Sequence, residues 1–232
     1  DGSILQQSCR TEAYEEARRR LVRDGWAYPC SCTRADLGSA PRGPGGEPIY
    51  PGTCRSGPRS SALDPSFRFR TDRGEPEVIV ADLLQGEFRQ RVSTEVGDFV
   101  IRRRDGFHAY QLAVVVDDAA QGVTQVVRGC DLLDNTPRQI LLQRALGVPT
   151  PAYAHLPLIV EPDGTKLAKR RRAVPVDPAH AARELVLALD LLRQAPPAAL
   201  ARATPRDVWA WALAHWRPAP LMGVERARAP RP

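Results

Sequence analysis

The sequence is poor in lysine, in methionine and in long apolar runs. Only two of its 33 basic residues are lysines, and Met222 is the single methionine among 232 residues. No apolar run reaches the roughly 18 residues that a membrane-spanning helix needs, and no secretory signal peptide opens the sequence. Because position 1 is aspartate, we expect further residues to precede it in the translated protein. We expect a cytoplasmic protein without a membrane partner.

Several familiar catalytic motifs are also absent. The sequence has no glycine-rich phosphate loop, no Ser/His/Asp spacing, no HExxH and no HxGH. The sequence therefore gives no indication of P-loop nucleotide hydrolysis, serine hydrolysis or zinc-peptidase chemistry. The five cysteines form an odd set without a secretory signal, which indicates a reducing compartment rather than a disulfide framework.

The charge that is present is mostly arginine. A net charge of +6 and a pI near 9.4 favour a polyanionic partner: a nucleic acid, a nucleotide or a membrane surface. Arginine triplets occur at 18–20, 102–104 and 170–172. One triplet alone usually marks a solvated face, whereas three in one chain favour a nucleic acid.

Both lysines lie in one short segment, Lys166 and Lys169, directly after the turn-forming pair Asp163-Gly164. An ammonium is a compact, mobile charge that can follow the negative charge growing on a reacting phosphate, whereas a guanidinium is a rigid fork. The segment therefore indicates a phosphate-binding loop. The alternative is a basic turn in which neither lysine has a specific role.

Three cysteines follow one another closely in a segment rich in Gly, Pro and Ser. Cys30 and Cys32 form a Cys-x-Cys pair, and Cys54 follows Tyr50 by four positions. Thiolates at such spacing predict a structural zinc site that supplies folding energy to a segment without an evident core. No histidine lies nearer than His108, so a phenolate from Tyr50 is the candidate fourth ligand. Buried free thiols or a redox pair remain the alternative.

The apolar periodicity predicts an α/β protein. Its predicted elements are a helix over 11–24 stopped by Gly25, strands over 67–70, 77–80, 87–92, 99–101, 123–127 and 153–160, and a helix from Thr136 to Gly147. The apolar run 109–120 fits a helix or a strand equally well. A strand, a helix and a strand over 123–160 predict a parallel βαβ unit. Amphipathic helices over 178–193 and 204–216 precede a tail from Arg217 that we expect to be loose.

A candidate substrate-binding pair lies around the first strand of that unit. Arg128 ends the strand at 123–127, and the carboxyl end of a parallel strand is where α/β proteins bind ligands. Its guanidinium could hold a carboxylate through two parallel hydrogen bonds, and the hydroxyl of Tyr110 could add a third. Alternatively, Arg128 pairs with Asp117, Asp118 or Asp131 and only connects loops.

Taken together, these residues resemble the glutamyl branch of the class I aminoacyl-tRNA synthetases from about Gln6 to Arg217. The resemblance rests on the long run 114–139, on 155–158, and on 166–170, which is similar to the family's KMSKS loop with Ala168 where serine is usual. Within this family the closest match is the short branch, the glutamyl-Q tRNA(Asp) synthetases. Their zinc motif corresponds to Cys30, Cys32, Tyr50 and Cys54.

The resemblance implies a fold in four segments. They are a remnant of a first Rossmann half (1–29), a zinc-bearing β-rich insertion (30–97), a second Rossmann half with the KMSKS-like loop (98–175), and a small helical C-terminal region with a loose tail (176–232). The family's HIGH-like motif corresponds to residues upstream of Asp1.

The resemblance also implies a reaction. Glutamate is activated with ATP, accompanied by Mg²⁺, and is then transferred to queuosine in the anticodon of tRNA(Asp). Tyr110 and Arg128 would hold the glutamate, and Lys166 and Lys169 would bind ATP and stabilise the reacting phosphate. The expected partners are tRNA(Asp), L-glutamate and ATP, and the expected state is a monomer. The alternatives are a non-catalytic tRNA-binding remnant and a fragment of a glutamyl-tRNA synthetase.

Overall fold

A computed structural model of the chain describes residues 4–60, 64–167 and 175–228. Within these ranges the α-helices are α1 (Thr11–Arg23), α2 (Val92–Glu95), α3 (Tyr110–Ala120), α4 (Thr136–Ala145), α5 (Ala181–Leu191) and α6 (Pro205–His215). The strands are β1 (Ala27–Cys30), β2 (Ser66–Phe69), β3 (Val78–Asp82), β4 (Gly86–Gln90), β5 (Val100–Arg102), β6 (Gln125–Gly129), β7 (Ala152–Leu156), β8 (Leu158–Val160) and β9 (Arg226–Arg228).

The chain divides into two compact units. The first consists of 1–81, 87–126 and 134–152, and the second of 82–86, 127–133 and 153–232. The units cut across the four segments that the sequence suggests, because residues from the middle of the chain join the C-terminal region in the second unit. The four-segment division itself stays a prediction.

The first unit contains an antiparallel sheet in the order β1-β2-β5. In the pairing of β1 with β2, Ala27 lies opposite Phe69 and Cys30 opposite Ser66. On its other edge β2 pairs with β5, and the register shifts between Phe67 and Arg68. The ring of Phe69, which is fully buried, stacks between Trp26 and Phe99 at centroid distances of 5.9 and 5.2 Å. The strand predicted over 67–70 from alternating apolar and polar residues is therefore present as β2, and aromatic rings cover its residue Phe69.

A second sheet has the strand order β4-β3-β7-β6. β3 runs parallel to β7, with Asp82 opposite Tyr153. β6, α4 and β7 follow one another in the chain, and β6 and β7 are neighbours in the sheet, as the strand-helix-strand pattern predicts. The mixed sheets and surrounding helices confirm the α/β class.

The apolar run 109–120 is a helix, α3. Its buried residues are Leu112, Ala113, Val115 and Asp117. Leu112 and Val115 are three positions apart and Ala113 and Asp117 four, which are the spacings of neighbouring side chains on a helix. Gly122 follows with a φ of +65°, a left-handed conformation that glycine adopts without strain and that suits the end of a helix. Periodicity alone left this choice open because valine is common in both kinds of element.

Two expectations for the C-terminal part are wrong. The single strand expected over 153–160 is interrupted at Pro157, and its second half, β8, pairs in parallel with β9 in a separate two-stranded sheet. The tail from Arg217 is ordered as far as Arg228, because β9 belongs to this sheet and Leu221 is fully buried against Leu84 and Ala154.

Across the described ranges, no helix is both long and apolar enough to span a membrane.

Leu221→Ala tests whether the tail is part of the second unit's core. We expect it to lower the free energy of unfolding by about 2–5 kcal/mol, the usual effect of truncating a fully buried leucine. Chemical denaturation followed by tryptophan fluorescence measures this loss. The adjacent Met222→Ala is the control, because Met222 is 53% exposed and its truncation should change little. Equal, small effects of both variants would contradict an ordered tail.

Candidate functional site

Three cysteines of the first unit converge beside a tyrosine hydroxyl. The Sγ atoms of Cys30, Cys32 and Cys54 all lie within 4.8 Å of one another. The Oη atom of Tyr50 lies 3.3 Å from Cys30 Sγ and 3.5 Å from Cys32 Sγ, and it accepts the backbone N–H of Cys54 at 2.9 Å. The structure thus brings together all four residues that the sequence predicts as metal ligands.

The spacing of these atoms fits a tetrahedral metal ion. With zinc–sulfur and zinc–oxygen bonds of about 2.3 and 2.0 Å, a tetrahedron has edges of about 3.8 Å between sulfurs and about 3.5 Å between sulfur and oxygen. The Cys32–Cys54 separation of 3.5 Å and the two tyrosine–sulfur distances match these edges. Because all three sulfurs lie within 4.8 Å of one another, the four residues are close enough to surround one metal ion.

Backbone contacts fix the tyrosine in this cluster. Tyr50 forms an isolated parallel bridge with Gly97, whose φ is +73°. A Cβ atom at position 97 would lie 2.8 Å from the backbone nitrogen of Tyr50. Only glycine permits this close approach.

The thiols differ in how readily they lose their protons. Burial, together with the neighbouring thiols of Cys54 and Cys30, raises the pKa of Cys32 to about 11 against the lowering effect of the Tyr50 hydroxyl. Burial acts in the same direction on Cys54, but hydrogen bonds from the Tyr50 hydroxyl and from backbone N–H groups outweigh it and lower its pKa to about 6. Burial also raises the pKa of Tyr50. A metal ion binds cysteine as the thiolate, and these pKa directions favour the thiolate at Cys54 over Cys32.

A buried arginine supplies positive charge beside the thiols. Arg68 donates from Nε to Cys30 Sγ at 3.3 Å, and its guanidinium lies 4.0 Å from the centroid of the Tyr50 ring. Its Nη1 donates to the backbone oxygen of Asp98 at 2.9 Å, which fixes the guanidinium plane. Arg68 therefore offsets the negative charge that three thiolates would carry around a divalent ion.

The carboxylate of Asp98 joins this cluster to the sheet. It accepts from the hydroxyl of Tyr28 at 2.5 Å, from Arg55 at 2.7 and 2.9 Å, and from the backbone N–H of Thr71 at 2.9 Å. Burial would raise the pKa of Asp98, but these hydrogen bonds outweigh it and hold the pKa below its usual value. The buried charge is thus fully paired, as a buried carboxylate requires.

In the second unit, Arg128 is the last member of a line of three hydrogen-bonded polar side chains. Arg128 donates from Nε to His155 Nε2 at 3.0 Å, and His155 Nδ1 lies 2.6 Å from Asp82 Oδ2. The side chains of His155 and Asp82 are fully buried. Arg128 also donates from Nη2 to the backbone oxygen of Leu132 at 3.3 Å and lies over the ring of Tyr153, 5.4 Å from its centroid.

The hydrogen-bonding partners determine the protonation of His155. An arginine Nε–H can only donate, so His155 Nε2 must accept and Nδ1 must carry the proton that is donated to Asp82. Burial lowers the pKa of His155 against the opposing effect of Asp82, which is consistent with a neutral ring. The pKa of Asp82 is also lowered, because backbone N–H groups and His155 outweigh its burial.

The lysine segment begins with the predicted turn. Gly164 has a φ of +81°, and Asp163 Oδ1 accepts from the backbone N–H and the hydroxyl of Thr165 at 2.9 and 2.5 Å. The chain then returns along β8, where Lys166 bridges to Val160. Lys166 forms an ion pair with Asp131, three positions beyond Arg128. Lys169 lies outside the described residues.

The other predicted residues have plainer surroundings. Tyr110 opens α3 in the first unit and is 47% exposed. Asp117 accepts from Arg10 at 2.9 Å and from Tyr14 at 2.6 Å, so this buried carboxylate is a salt-bridge partner. Within the arginine triplets, Arg18, Arg19 and Arg102 pair with Glu15 and Arg103 pairs with Asp105, but the side chains of Arg19 and Arg103 remain mostly exposed. Only part of each described triplet can therefore reach a nucleic acid.

Sequence reasoning did not identify Asp82, Asp98 or Arg68 as members of a site. Asp82 and His155 stand 73 positions apart, so only the pairing of β3 with β7 reveals their contact. One signal was available: a histidine inside an otherwise apolar strand, since a polar residue in a buried strand needs a partner.

Comparisons with known proteins identify the family to which the chain belongs. The family model for the catalytic domain of class I tRNA synthetases (E and Q) matches residues 1–202. That match covers most of the chain, and it defines the class of protein as a class I synthetase catalytic domain, in a family of ATP-dependent ligases.

The particular branch follows from curated relatives of the chain. Glutamyl-Q tRNA(Asp) synthetases from Thiobacillus denitrificans, Aromatoleum aromaticum and Pseudomonas aeruginosa (strain LESB58) are 49%, 46% and 50% identical to it. The matches cover 93%, 99% and 93% of this chain and 71%, 72% and 71% of those proteins. The chain therefore belongs to the glutamyl-Q tRNA(Asp) synthetase family.

Solved structures support the fold. A glutamate-tRNA synthetase from Elizabethkingia anophelis aligns with a TM-score of 0.70 over 96% of this chain at 22% identity. A glutamate tRNA ligase from Elizabethkingia meningosepticum, in complex with its amino acid, aligns equally well over 99% at 20% identity. The chain spans 51% and 52% of those two proteins, about half of their length.

Arg68→Met tests the role of the buried guanidinium beside the thiols. We expect the affinity for a metal ion to fall by about 10–100-fold, the usual effect of removing a side chain that hydrogen-bonds to a metal-coordinating residue. Competition with a chromophoric chelator measures it. Arg70→Met is the matched control, because Arg70 follows the same strand but pairs with Asp72 near the surface. Equal affinities of the two variants would show that Arg68 does not act on the metal site.

Proposed function

We propose that this chain carries active-site residues of an enzyme that activates L-glutamate with ATP. The enzyme then transfers the glutamyl group to queuosine in the anticodon of tRNA(Asp). The names of its relatives, at 46–50% identity, support this specificity. The residues proposed for catalysis and binding are Lys169, Lys166, Arg128 and Tyr110.

The observation that carries this proposal is the ion pair between Lys166 and Asp131. Asp131 follows Arg128 by three positions, so the lysine turn lies against the loop that leaves the carboxyl end of β6. An amino-acid-binding guanidinium and a nucleotide-binding ammonium are needed on adjacent segments if glutamate and ATP are to react. In α/β proteins, the ends of parallel strands provide such a place.

In the first step, a carboxylate oxygen of glutamate attacks the α-phosphorus of ATP. The bond between the α- and β-phosphates breaks, pyrophosphate leaves, and glutamyl-adenylate is formed; Mg²⁺ bound to ATP would offset part of the phosphate charge. Arg128 holds glutamate through a carboxylate, with the Tyr110 hydroxyl as a further donor. Lys169 stabilises the charge on the α-phosphate and the leaving pyrophosphate, and Lys166, which already faces a carboxylate, exchanges Asp131 for a phosphate.

In the second step, a hydroxyl of queuosine attacks the carbonyl carbon of the adenylate. AMP leaves, and the hydroxyl proton is released. Arginines with exposed side chains, such as Arg19 and Arg103, are candidates for contacting the tRNA backbone. We expect the protein to act as a cytoplasmic monomer.

We further propose that Cys30, Cys32, Cys54 and Tyr50 hold a structural zinc ion. Segment 30–60 is rich in Gly, Pro and Ser, and its described core is limited to the cluster around Tyr28, Cys30, Tyr50 and Cys54. A zinc ion would supply folding free energy that such a small cluster lacks.

Loss of the loop ammonium tests the reaction. In the protein encoded by the complete reading frame, Lys169→Ala should lower glutamate-dependent ATP–pyrophosphate exchange by about 10²–10³-fold, the effect of removing one preorganised charge. Lys169→Arg should recover only part of this loss, because the planar guanidinium cannot follow the phosphate as the ammonium does. Arg89→Ala, which removes an exposed cation paired with Glu87, should leave the rate unchanged.

The same assay separates the enzyme from a tRNA-binding remnant. A wild-type protein that binds tRNA(Asp) but shows no exchange would support the remnant. A protein that charges the 3′ end of tRNA(Glu) rather than queuosine would support a fragment of a glutamyl-tRNA synthetase.

Metal analysis tests the zinc proposal. After purification without chelators, elemental analysis should find about one equivalent of zinc, the stoichiometry of a four-ligand structural site. Cys54→Ser should lose the metal, whereas Cys9→Ser, at an exposed cysteine outside the cluster, should retain it. Zinc well below half an equivalent in the wild-type protein, or full zinc in Cys54→Ser, would contradict the assignment.

A further inference from the structure

We propose that Asp82 and His155 are positioning residues for the substrate-binding guanidinium: the Asp82–His155 pair fixes the edge of Arg128 that faces glutamate. This inference rests on the proposed function, because it assigns a role to two residues behind the arginine that would hold the substrate. Neither residue has to touch glutamate, ATP or tRNA for this role.

The anchor of the line is the carboxylate of Asp82. Its Oδ1 accepts three backbone N–H groups, from Leu84 at 2.9 Å, Gln85 at 2.8 Å and His155 at 3.1 Å. Its Oδ2 accepts from His155 Nδ1 at 2.6 Å. The two oxygens therefore bind different groups. Oδ1 holds the backbone of the turn after β3, and Oδ2 accepts the hydrogen bond from the imidazole of His155.

The histidine transmits this orientation to Arg128. Because Nδ1–H is held by Asp82, Nε2 is left as an acceptor, and it receives Nε–H of Arg128 at 3.0 Å. The backbone oxygen of His155 is also engaged, since Gln85 Nε2 donates to it at 2.7 Å. The imidazole thus has a fixed plane and a fixed tautomer.

The consequence for Arg128 is directional. A guanidinium can grip a carboxylate either through Nε and one Nη atom or end-on through Nη1 and Nη2. Because His155 engages Nε–H, we assign the end-on edge to glutamate; Nη2 carries a second N–H besides the one that it donates to the Leu132 carbonyl. The Leu132 carbonyl and the Tyr153 ring help to hold the guanidinium plane.

A purely structural role would not need this chemistry. Replacing a buried ionic or polar pair with apolar residues of similar volume is often neutral or stabilising, so core stability alone does not require the pair. A charge-bearing line that ends on an arginine at a strand terminus is better explained by the orientation of that arginine.

Asp82→Asn tests the tautomer directly in the protein from the complete reading frame. The amide can keep its oxygen at Oδ1 for the three backbone N–H groups, but it places an NH₂ group opposite His155 Nδ1. The imidazole proton must then move to Nε2, where it opposes Arg128 Nε–H. We expect the KM for glutamate in ATP–pyrophosphate exchange to rise by about 10–100-fold, the effect of losing one charged hydrogen bond. The KM for ATP should change less than about twofold, since ATP does not contact this line.

Variants of His155 test the same role if Asp82→Asn fails to fold, and Asp117→Asn is the control. His155→Gln retains an acceptor for Arg128 and a donor for Asp82, so it should keep a KM for glutamate closer to wild type than His155→Leu does. Asp117→Asn makes the same chemical change at a buried carboxylate of the first unit, and it should leave the KM for glutamate unchanged.

Nitrogen NMR of the four histidines gives a readout independent of activity. Wild-type His155 should show a protonated Nδ1 and an unprotonated Nε2, and Asp82→Asn should reverse them. A wild-type Nε2 that carries the proton, or an unchanged KM for glutamate in Asp82→Asn with the tautomer reversed, would overturn the positioning role. If the wild-type protein neither binds glutamate nor supports exchange, the proposed function itself fails.

Discussion

The direction of one hydrogen bond, from Arg128 Nε to His155 Nε2, determines the protonation states of the buried polar side chains behind Arg128 in the second unit. It requires a neutral imidazole protonated at Nδ1, and this in turn requires an ionised carboxylate at Asp82. A carboxylate with a fully buried side chain is tolerated because three backbone N–H groups and the imidazole compensate for its lost hydration. The turn after β3, the pairing of β3 with β7, and the position of Arg128 therefore depend on one another.

Local chemistry made much of the fold predictable. α1 has acids early and arginines late with Gly25 as its stop, and Thr136-Pro137 opens α4 as expected. The helical state of 110–120 was not decided by its valines, because it depends on which face is packed. The strand at Arg226–Arg228 was missed because it forms by pairing with β8, more than 60 positions away, and a Pro/Arg-rich tail has no intrinsic strand preference.

The candidate site was predictable to the extent that its ligands are close in sequence. Cys-x-Cys followed by Tyr-x3-Cys identified the four clustered atoms, because a metal imposes spacing on its ligands. Arg68 and Asp98 were not identified, since arginine is the common cation of this chain and carries no spacing signal. The same arrangement occurs in each unit: a residue with a predicted role is oriented by a buried neighbour that carries the opposite charge or forms a hydrogen bond with it.

The most direct measurement is a crystal structure of the complete protein with L-glutamate and a non-hydrolysable ATP analogue. Our account predicts a glutamate carboxylate within hydrogen-bond distance of Nη1 and Nη2 of Arg128, while Nε remains on His155 Nε2 and the ammonium of Lys169 contacts the phosphates. Glutamate bound away from Arg128, or an Arg128 side chain turned from His155 towards an internal carboxylate, would contradict it.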